Sequence, residues 1–233
     1  MKALFKSEFY KFTFNYLSMM TFAVTFVLAV IVNIFESVNP IGAQISVMGY
    51  MFPLLPCLIV GSIWSFEYKD RTMDLMVFKY GERLRVFIVK TFMTILSVSL
   101  MFAIYVIGLF ISRPDTFLNT VHVLEWYIIP LILLINLSLI MIFYVVICRS
   151  FSSLSIFTVL IFLTSYFCYK MTMVHQMDSF VYRFISDLSF SGIYASVYNV
   201  KDINQLLVRT SINTGFSWLL IVLGCFYFKY KDI

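Results

Sequence analysis

The sequence predicts an all-α membrane protein with six transmembrane helices. Three observations support this fold class: the chain is 61% hydrophobic, only 12% of its residues are charged, and its mean hydropathy is +0.93. Soluble domains carry about 25% charged residues, and a single core in 233 residues cannot bury so much apolar surface. We therefore expect lipid to cover the surplus.

Six apolar runs have about the 20 residues that a helix needs to cross the hydrocarbon core. The runs are continuous and do not alternate with polar residues, which predicts helices rather than the strands of a barrel. Pro53 and Pro56 are expected to bend or break the second run, because each removes a backbone donor. The runs are 16–35, 45–66, 87–111, 126–147, 153–171 and 213–229.

The polar residues inside these runs are few. Asn33 and Asn136 are the clear examples, and together with Pro53 and Pro56 they form a candidate transport pathway. Hydrogen bonding between helices explains the two asparagines at least as well.

Residues 1–15 predict an amphipathic helix at the membrane interface, ahead of a transmembrane domain over 16–233. Phe5, Phe9, Phe12 and Tyr16 fall at i, i+4, i+7 and i+11 and form one aromatic stripe, with Glu8 and the lysines outside it. An aromatic face with lysines beside it is typical of an interfacial helix. The alternative is a simple cytosolic extension of the first span.

The basic residues predict the orientation. Six spans place both termini on one side, and that side holds twelve of the seventeen Lys and Arg residues. Basic loops favour the cytoplasm, so both termini of this multi-pass protein are expected to face the cytoplasm from the cell (plasma) membrane. The net charge of +5 predicts contact with anionic lipid headgroups rather than with nucleic acid.

Residues 65–90 gather six of the seventeen basic and four of the twelve acidic residues between two apolar runs. Glu67 and Arg71 stand at i and i+4 in the favourable order, and Gly81 is a plausible stop, which predicts a short cytoplasmic helix at about 67–80. Basic topology alone requires neither the acids nor the "MDLMVF" among them. Because methionine adapts to irregular partner surfaces, the helix is expected to dock on another protein.

This stretch resembles the membrane subunits of ABC-2 type transporters. In "EYKDRTMDLM" and "KYGERLRVFIVK" the chain matches the family's loose pattern at the second span, the turn and the basic start of span three, although Arg71 stands where many members have Gly. The resemblance implies six spans, an N-terminal interface helix, a cytoplasmic coupling helix and re-entrant helices between spans five and six. It also implies a set of coupling residues: Glu67, Asp70, Arg71, Thr72, Met73, Asp74, Met76 and Phe78.

The resemblance further implies a separate ATP-binding subunit as partner and a second copy of the chain or a related permease. ATP and magnesium would bind in the partner, and this chain, which has no GxxxxGK[ST] loop, would bind no cofactor. Similar small permeases of Gram-positive bacteria export antimicrobial or cytolytic peptides or give immunity to them. Export of an amphipathic peptide, powered through the 67–80 helix, is therefore the expected function.

The segment 172–212 is predicted to lie outside the cell and to be helical. Its apolar residues between Phe180 and Leu188 recur at helical spacing, which predicts a short interfacial or re-entrant helix, and a second helix is expected at about 202–209.

Two other classes compete with an ATP-driven permease. An intramembrane enzyme is disfavoured, because His122 and His175 fall at the interface and the chain has neither an HExxH motif nor a metal spacing. A secondary carrier or channel would work without an ATPase, and the broken second span keeps this alternative open. A peptide-binding immunity protein that transports nothing is a third interpretation.

Overall fold

The computed structural model describes residues 2–13, 15–36, 54–69, 72–80, 82–112, 127–175 and 203–230. Helices account for nearly all of these residues, and no strand occurs among them, so the predicted helical class is confirmed for the described part of the chain. The elements are α1 (Lys2–Thr13), α2 (Tyr16–Glu36), α3 (Leu54–Val60), a π-helical segment (Gly61–Ser65), α4 (Phe66–Lys69), α5 (Thr72–Tyr80), α6 (Arg83–Ser112), α7 (Ile129–Cys148), α8 (Phe151–His175) and α9 (Ile203–Tyr230).

Within the described residues, three helices are long and apolar enough to cross a membrane: Arg83–Ile111, Ile129–Cys148 and Leu206–Tyr230. A fourth is added if α1 and α2, which are bent by 60° relative to each other, form one broken span. The chain therefore has the helices of a membrane protein. The count of six spans stays a prediction.

The last helix begins earlier than the sequence predicts. α9 starts at Ile203 rather than near residue 213, so the second outer helix expected at 202–209 is the first part of this long helix. No Gly or Pro interrupts 203–214, and nothing there stops the helix. The interfacial helix predicted around 180–188 lies outside the described residues.

The second predicted span is irregular within its described residues. α3 runs through Pro56 to Val60 without a break, and Pro53 lies outside the described residues. The departure from α geometry lies at Gly61–Ser65, where the π-helical segment begins. A Cβ atom on Gly61 would lie 2.3 Å from the ring of Phe151, so only glycine permits this approach to α8.

α7 occupies the centre of the fold and contacts α9, α6, α3 and α8. α2 packs along α6, and α1 also contacts α6. The outer faces of α2, α6 and α9 remain strongly apolar, with exposed side chains such as Val27, Ile111 and Leu219. Lipid would cover such faces, since soluble monomers rarely expose large contiguous apolar patches.

Candidate functional site: a buried charge cluster

Four charged side chains from three helices meet inside the protein: Glu8 and Lys11 on α1, Glu67 on α4 and Lys90 on α6. Lys90 is fully buried, and its Nζ donates to Glu8 Oε2 at 2.9 Å and forms an ion pair with Glu67. Lys11 Nζ donates to Glu8 Oε1 at 3.3 Å and to Glu67 Oε1 at 3.1 Å. Each carboxylate thus bridges both ammonium groups. We call these four residues the charge cluster.

Helical periodicity places Glu8 in this cluster. Leu4, Glu8 and Phe12 are spaced four residues apart and form the buried face of α1. Glu8 lies outside the aromatic stripe, as predicted, but the face of α1 that is buried runs through Glu8, because α1 packs against α6.

The π-helical segment holds Lys90 from a third direction. Lys90 Nζ donates to the carbonyl oxygen of Ile63 at 2.9 Å and lies 5.9 Å from the ring centroid of Trp64. The indole N–H of Trp64 donates to Thr94 Oγ1 at 3.1 Å, one turn along α6 from Lys90. π segments are frequent at functional sites. Here the segment joins the second apolar run to the third through side chains of α6.

The cluster balances two negative against two positive charges, which a buried site requires because an unpaired buried charge is very costly. Lys11 is the accessible member, with 47% of its side chain exposed. Partial burial alone would lower the pKa of Lys11, but the charges of Glu67 and Glu8 outweigh it and raise that pKa above its usual value.

A cavity of about 370 Å³ lies beside the cluster, within the size range of small-ligand pockets. Glu8, Glu67 and Lys11 contribute charge to its lining, and Phe12 and Phe66 contribute aromatic rings. The cavity is therefore amphipathic, and its charged wall is built from the cluster.

The predicted coupling helix divides into two parts. Glu67 belongs to α4 and faces the charge cluster, and Thr72 begins α5 and donates to the Glu67 carbonyl oxygen at 3.4 Å. Met73 and Met76 are buried against the chain's own helices. Asp70 and Arg71 lie outside the described residues.

The opposite face of α5 is open. Phe78 is 90% exposed and Leu75 is 66% exposed, and Asp74 and Lys79 are exposed beside them. The coupling role of the predicted residues stays a prediction, but the surface available to a partner is this exposed face. Glu67, Met73 and Met76, which the resemblance includes among the coupling residues, are buried.

The predicted aromatic stripe does not act as one surface. Phe5 stacks on Phe9 with ring centroids 6.4 Å apart and contacts Phe92 of α6 at 6.0 Å. Phe12 is buried, whereas Tyr16 is exposed and belongs to α2. Whether α1 lies in the membrane interface stays a prediction.

Asn136 forms a second polar contact, deep between two membrane helices. Its Nδ2 donates to Asn213 Oδ1 at 3.0 Å and to Thr214 Oγ1 at 2.8 Å, joining α7 to α9. This geometry is the interhelical hydrogen bonding that the sequence left open. A groove of about 520 Å³ lies beside Asn136, and four isoleucines, Leu207 and Trp218 give it a mainly apolar wall. The side chain of Asn33, and Pro53, lie outside the described residues.

Sequence reasoning missed Glu8, Lys11 and Lys90 as a site. A signal was present, because Lys90 lies inside the third predicted span, and an ionisable residue within an apolar run requires a partner. The sequence does not indicate which partner, since Glu8 and Lys90 are 82 residues apart.

Comparisons with known proteins identify no family for this chain: no protein-family model matches it, and no curated protein matches its sequence.

Proposed function

We propose that this chain is the permease subunit of an ATP-driven exporter of the ABC-2 type, working with a separate ATP-binding subunit. The observation that carries the proposal is the geometry of α5. One face of this short helix is anchored in the protein through Met73 and Met76, and the other presents Phe78 and Leu75 with Asp74 and Lys79 beside them. An exposed aromatic side chain with one acidic and one basic side chain beside it suits a contact with another protein.

The connections of α5 support a role in coupling. Lys11 Nζ approaches Met76 Sδ at 3.7 Å, and the Thr72 hydroxyl bonds to the backbone of α4. A displacement of α5 by a partner would therefore be transmitted to the charge cluster, and from there to α1 and α6. In this proposal α5 faces the cytoplasm, both termini lie there, and a second permease chain completes the transporter.

The cargo we propose is an amphipathic or hydrophobic peptide, exported or removed as a form of immunity. Two features support this choice over a sugar or a small ion: the chain contains 26 Phe and 15 Tyr residues, and the groove between α7 and α9 is mainly apolar. Asn136 supplies a polar group at the wall of this groove.

The first test is purification of the full-length tagged protein from native membranes in mild detergent, followed by mass spectrometry. We expect a stoichiometric chain that contains a phosphate-binding loop. Its yield should fall strongly in Phe78→Ser and Asp74→Lys, because both side chains lie on the exposed face of α5. Tyr10→Ser is the matched control, since Tyr10 is 63% exposed on α1.

Loss of the ATPase in the control as well would contradict docking through α5. If the ATPase is retained, transport is then measured in proteoliposomes with ATP and a labelled amphipathic peptide. The export proposal fails if the intact complex hydrolyses ATP but moves no peptide.

A secondary carrier is the other candidate function. The buried charge cluster and the π-helical segment favour it, because carriers use ionisable groups and broken helices at their sites. A protein that purifies without any ATPase, and moves its cargo in liposomes without ATP, would decide for this alternative.

A further inference from the structure

The three buried groups of the charge cluster, Glu8, Glu67 and Lys90, do not balance one another's charge beside the cavity. Glu8 and Glu67 bring two carboxylates, and the fully buried Lys90 pairs with both of them. Without Lys11 these three groups sum to a single negative charge. Lys11 is therefore the group that neutralises the site, and it is the one half-exposed to solvent.

The ammonium group of Lys11 makes the contacts that a bound primary amine would need. Its Nζ donates to one oxygen of each carboxylate and lies 3.7 Å from Met76 Sδ. Phe12 and Phe66 line the same cavity and provide aromatic walls, which attract cations and accommodate alkyl chains. Lys11 is the member of the cluster whose side chain reaches solvent, so its ammonium group can move into water when another ammonium group replaces it on the two carboxylates.

We propose that this cavity binds the ammonium group of an amphipathic primary amine, which displaces Lys11 and bridges Glu8 and Glu67 in its place. The alkyl part of the ligand lies against Phe12 and Phe66. Two sources supply this chemistry: the headgroup of an aminophospholipid and a free alkylamine. The site does not rest on the proposed export function, since it needs no ATPase.

The tethered Lys11 competes with any free amine. A group held by a short flexible tether has an effective concentration on the order of millimolar. Wild-type protein should therefore bind amines weakly, and removal of the Lys11 charge should strengthen binding by about tenfold or more, because the competitor is lost. A residue with a merely structural role would not produce a gain of binding.

The test uses the full chain in nanodiscs of phosphatidylcholine at pH 7.5, with n-hexylamine as the free amine. The midpoint of thermal unfolding is measured against hexylamine concentration for wild type, Lys11→Gln and Lys6→Gln. Lys6 is an exposed lysine on the same helix and serves as the matched control. A ligand that binds the folded state raises the midpoint with its concentration.

We expect hexylamine to stabilise Lys11→Gln at about tenfold lower concentration than wild type or Lys6→Gln. In the latter two proteins the tethered Lys11 still competes with the amine for the carboxylates. n-Hexanol, which has the same chain without the charge, should stabilise none of them. Glu67→Gln and Glu8→Gln should each abolish the amine effect. If either carboxamide variant fails to fold, the comparison of Lys11→Gln with wild type still decides.

A second arm separates the two sources. Nanodiscs that contain phosphatidylethanolamine should raise the midpoint of Lys11→Gln above its value in phosphatidylcholine if the lipid headgroup enters the site. A response to hexylamine alone assigns the site to free amines, and a response to the lipid alone assigns it to the headgroup. The proposal is overturned if Lys11→Gln responds to neither more than wild type does, or if hexanol acts like hexylamine.

Discussion

Two polar clusters among the described residues each hold helices together, but with different chemistry. The charge cluster joins α1, α4 and α6 with four ionised groups, and the amide cluster of Asn136, Asn213 and Thr214 joins α7 to α9 with neutral hydrogen bonds. The amide cluster lies between two helices that are apolar enough to span a membrane. The charge cluster lies where two short helices and the start of α6 meet.

The difference shows that the free-energy cost of burying a polar group depends on whether the group is neutral or charged. A neutral amide in lipid needs one or two partners, whereas a buried charge needs a complete set of counter-charges. The charge cluster meets that need by drawing groups from three helices. It should therefore depend most on Lys90, because loss of this fully buried cation leaves two carboxylates without their buried counter-charge, whereas Lys11 is half-exposed to solvent.

The largest effect is expected from Lys90→Met. This change leaves Glu8 and Glu67 facing each other without the buried cation, and removal of one partner from a buried ion pair costs about 3–5 kcal/mol. The free energy of unfolding in mixed micelles measures it. Arg85→Met on the same helix is the control, because the pair that Arg85 forms with Glu82 is half-exposed on both sides and is worth about 0–1 kcal/mol.

A similar small loss for both variants would show that Lys90 does not carry the charge balance of the cluster. In that case the two clusters would not differ in fragility, and the contrast between them would fail.

A smaller effect is expected from Asn136→Leu. The change removes the donor of both hydrogen bonds between α7 and α9, and such bonds in membrane helices average about 0.6 kcal/mol with a maximum of about 1.7. A double-mutant cycle with Asn213→Leu measures the coupling free energy directly. Ser211→Ala is the control, because the Ser211 hydroxyl donates to the carbonyl oxygen of Leu207 on its own helix.

A coupling energy as large as the loss from Lys90→Met would reverse the ranking of the two clusters. A coupling energy of zero would mean that α7 and α9 are held by packing alone.

The smallest effect is expected from Lys11→Gln in the absence of amine, about 0–1 kcal/mol at pH 8, because the side chain is half-exposed. The pKa of Lys11 is raised in the folded protein, so its contribution to the free energy of unfolding is complete below the ordinary value of 10.5. The contribution is lost as the pH rises through the higher folded pKa. Unfolding of wild type and Lys11→Gln, followed from pH 8 upward, should converge at high pH.

Added salt should also reduce this difference, since exposed pairs are screened. A difference between the two proteins that persists unchanged at high pH would show that Lys11 acts by packing rather than by charge. Lys6→Gln should match wild type throughout.

Much of the helical fold could be predicted from the sequence, because hydropathy and helix-stopping residues act locally. A helix is present in each of the six predicted runs, and Asn136 was recognised as a polar residue that needs a partner. The start of α9 was misplaced because a polar sequence such as 203–214 forms helix when it continues a packed one. α3 continues through Pro56 to Val60, which the loss of one backbone donor does not by itself predict.

The site could be predicted only in part. Glu67 was identified as important, but its burial was not, since exposure depends on which helices cover it. The π-helical segment and the left-handed conformation of Arg149, with φ of 54°, leave no recognisable pattern in the sequence. The approach of Phe151 to Gly61 likewise depends on how α8 packs.

The amino-acid sequence by itself determined the helical membrane character of this chain and the concentration of charge around residues 65–90, because both are sums over neighbouring residues. Tertiary structure alone decided which charges meet. Lys11 and Glu67 are 56 residues apart and Lys90 and Glu8 are 82 residues apart, and they pair because α1 packs against α6 and the π-helical segment, which leads into α4, also contacts α6. Burial makes the pairing of Lys90 the most important of these, since a buried charge without its partner is very costly.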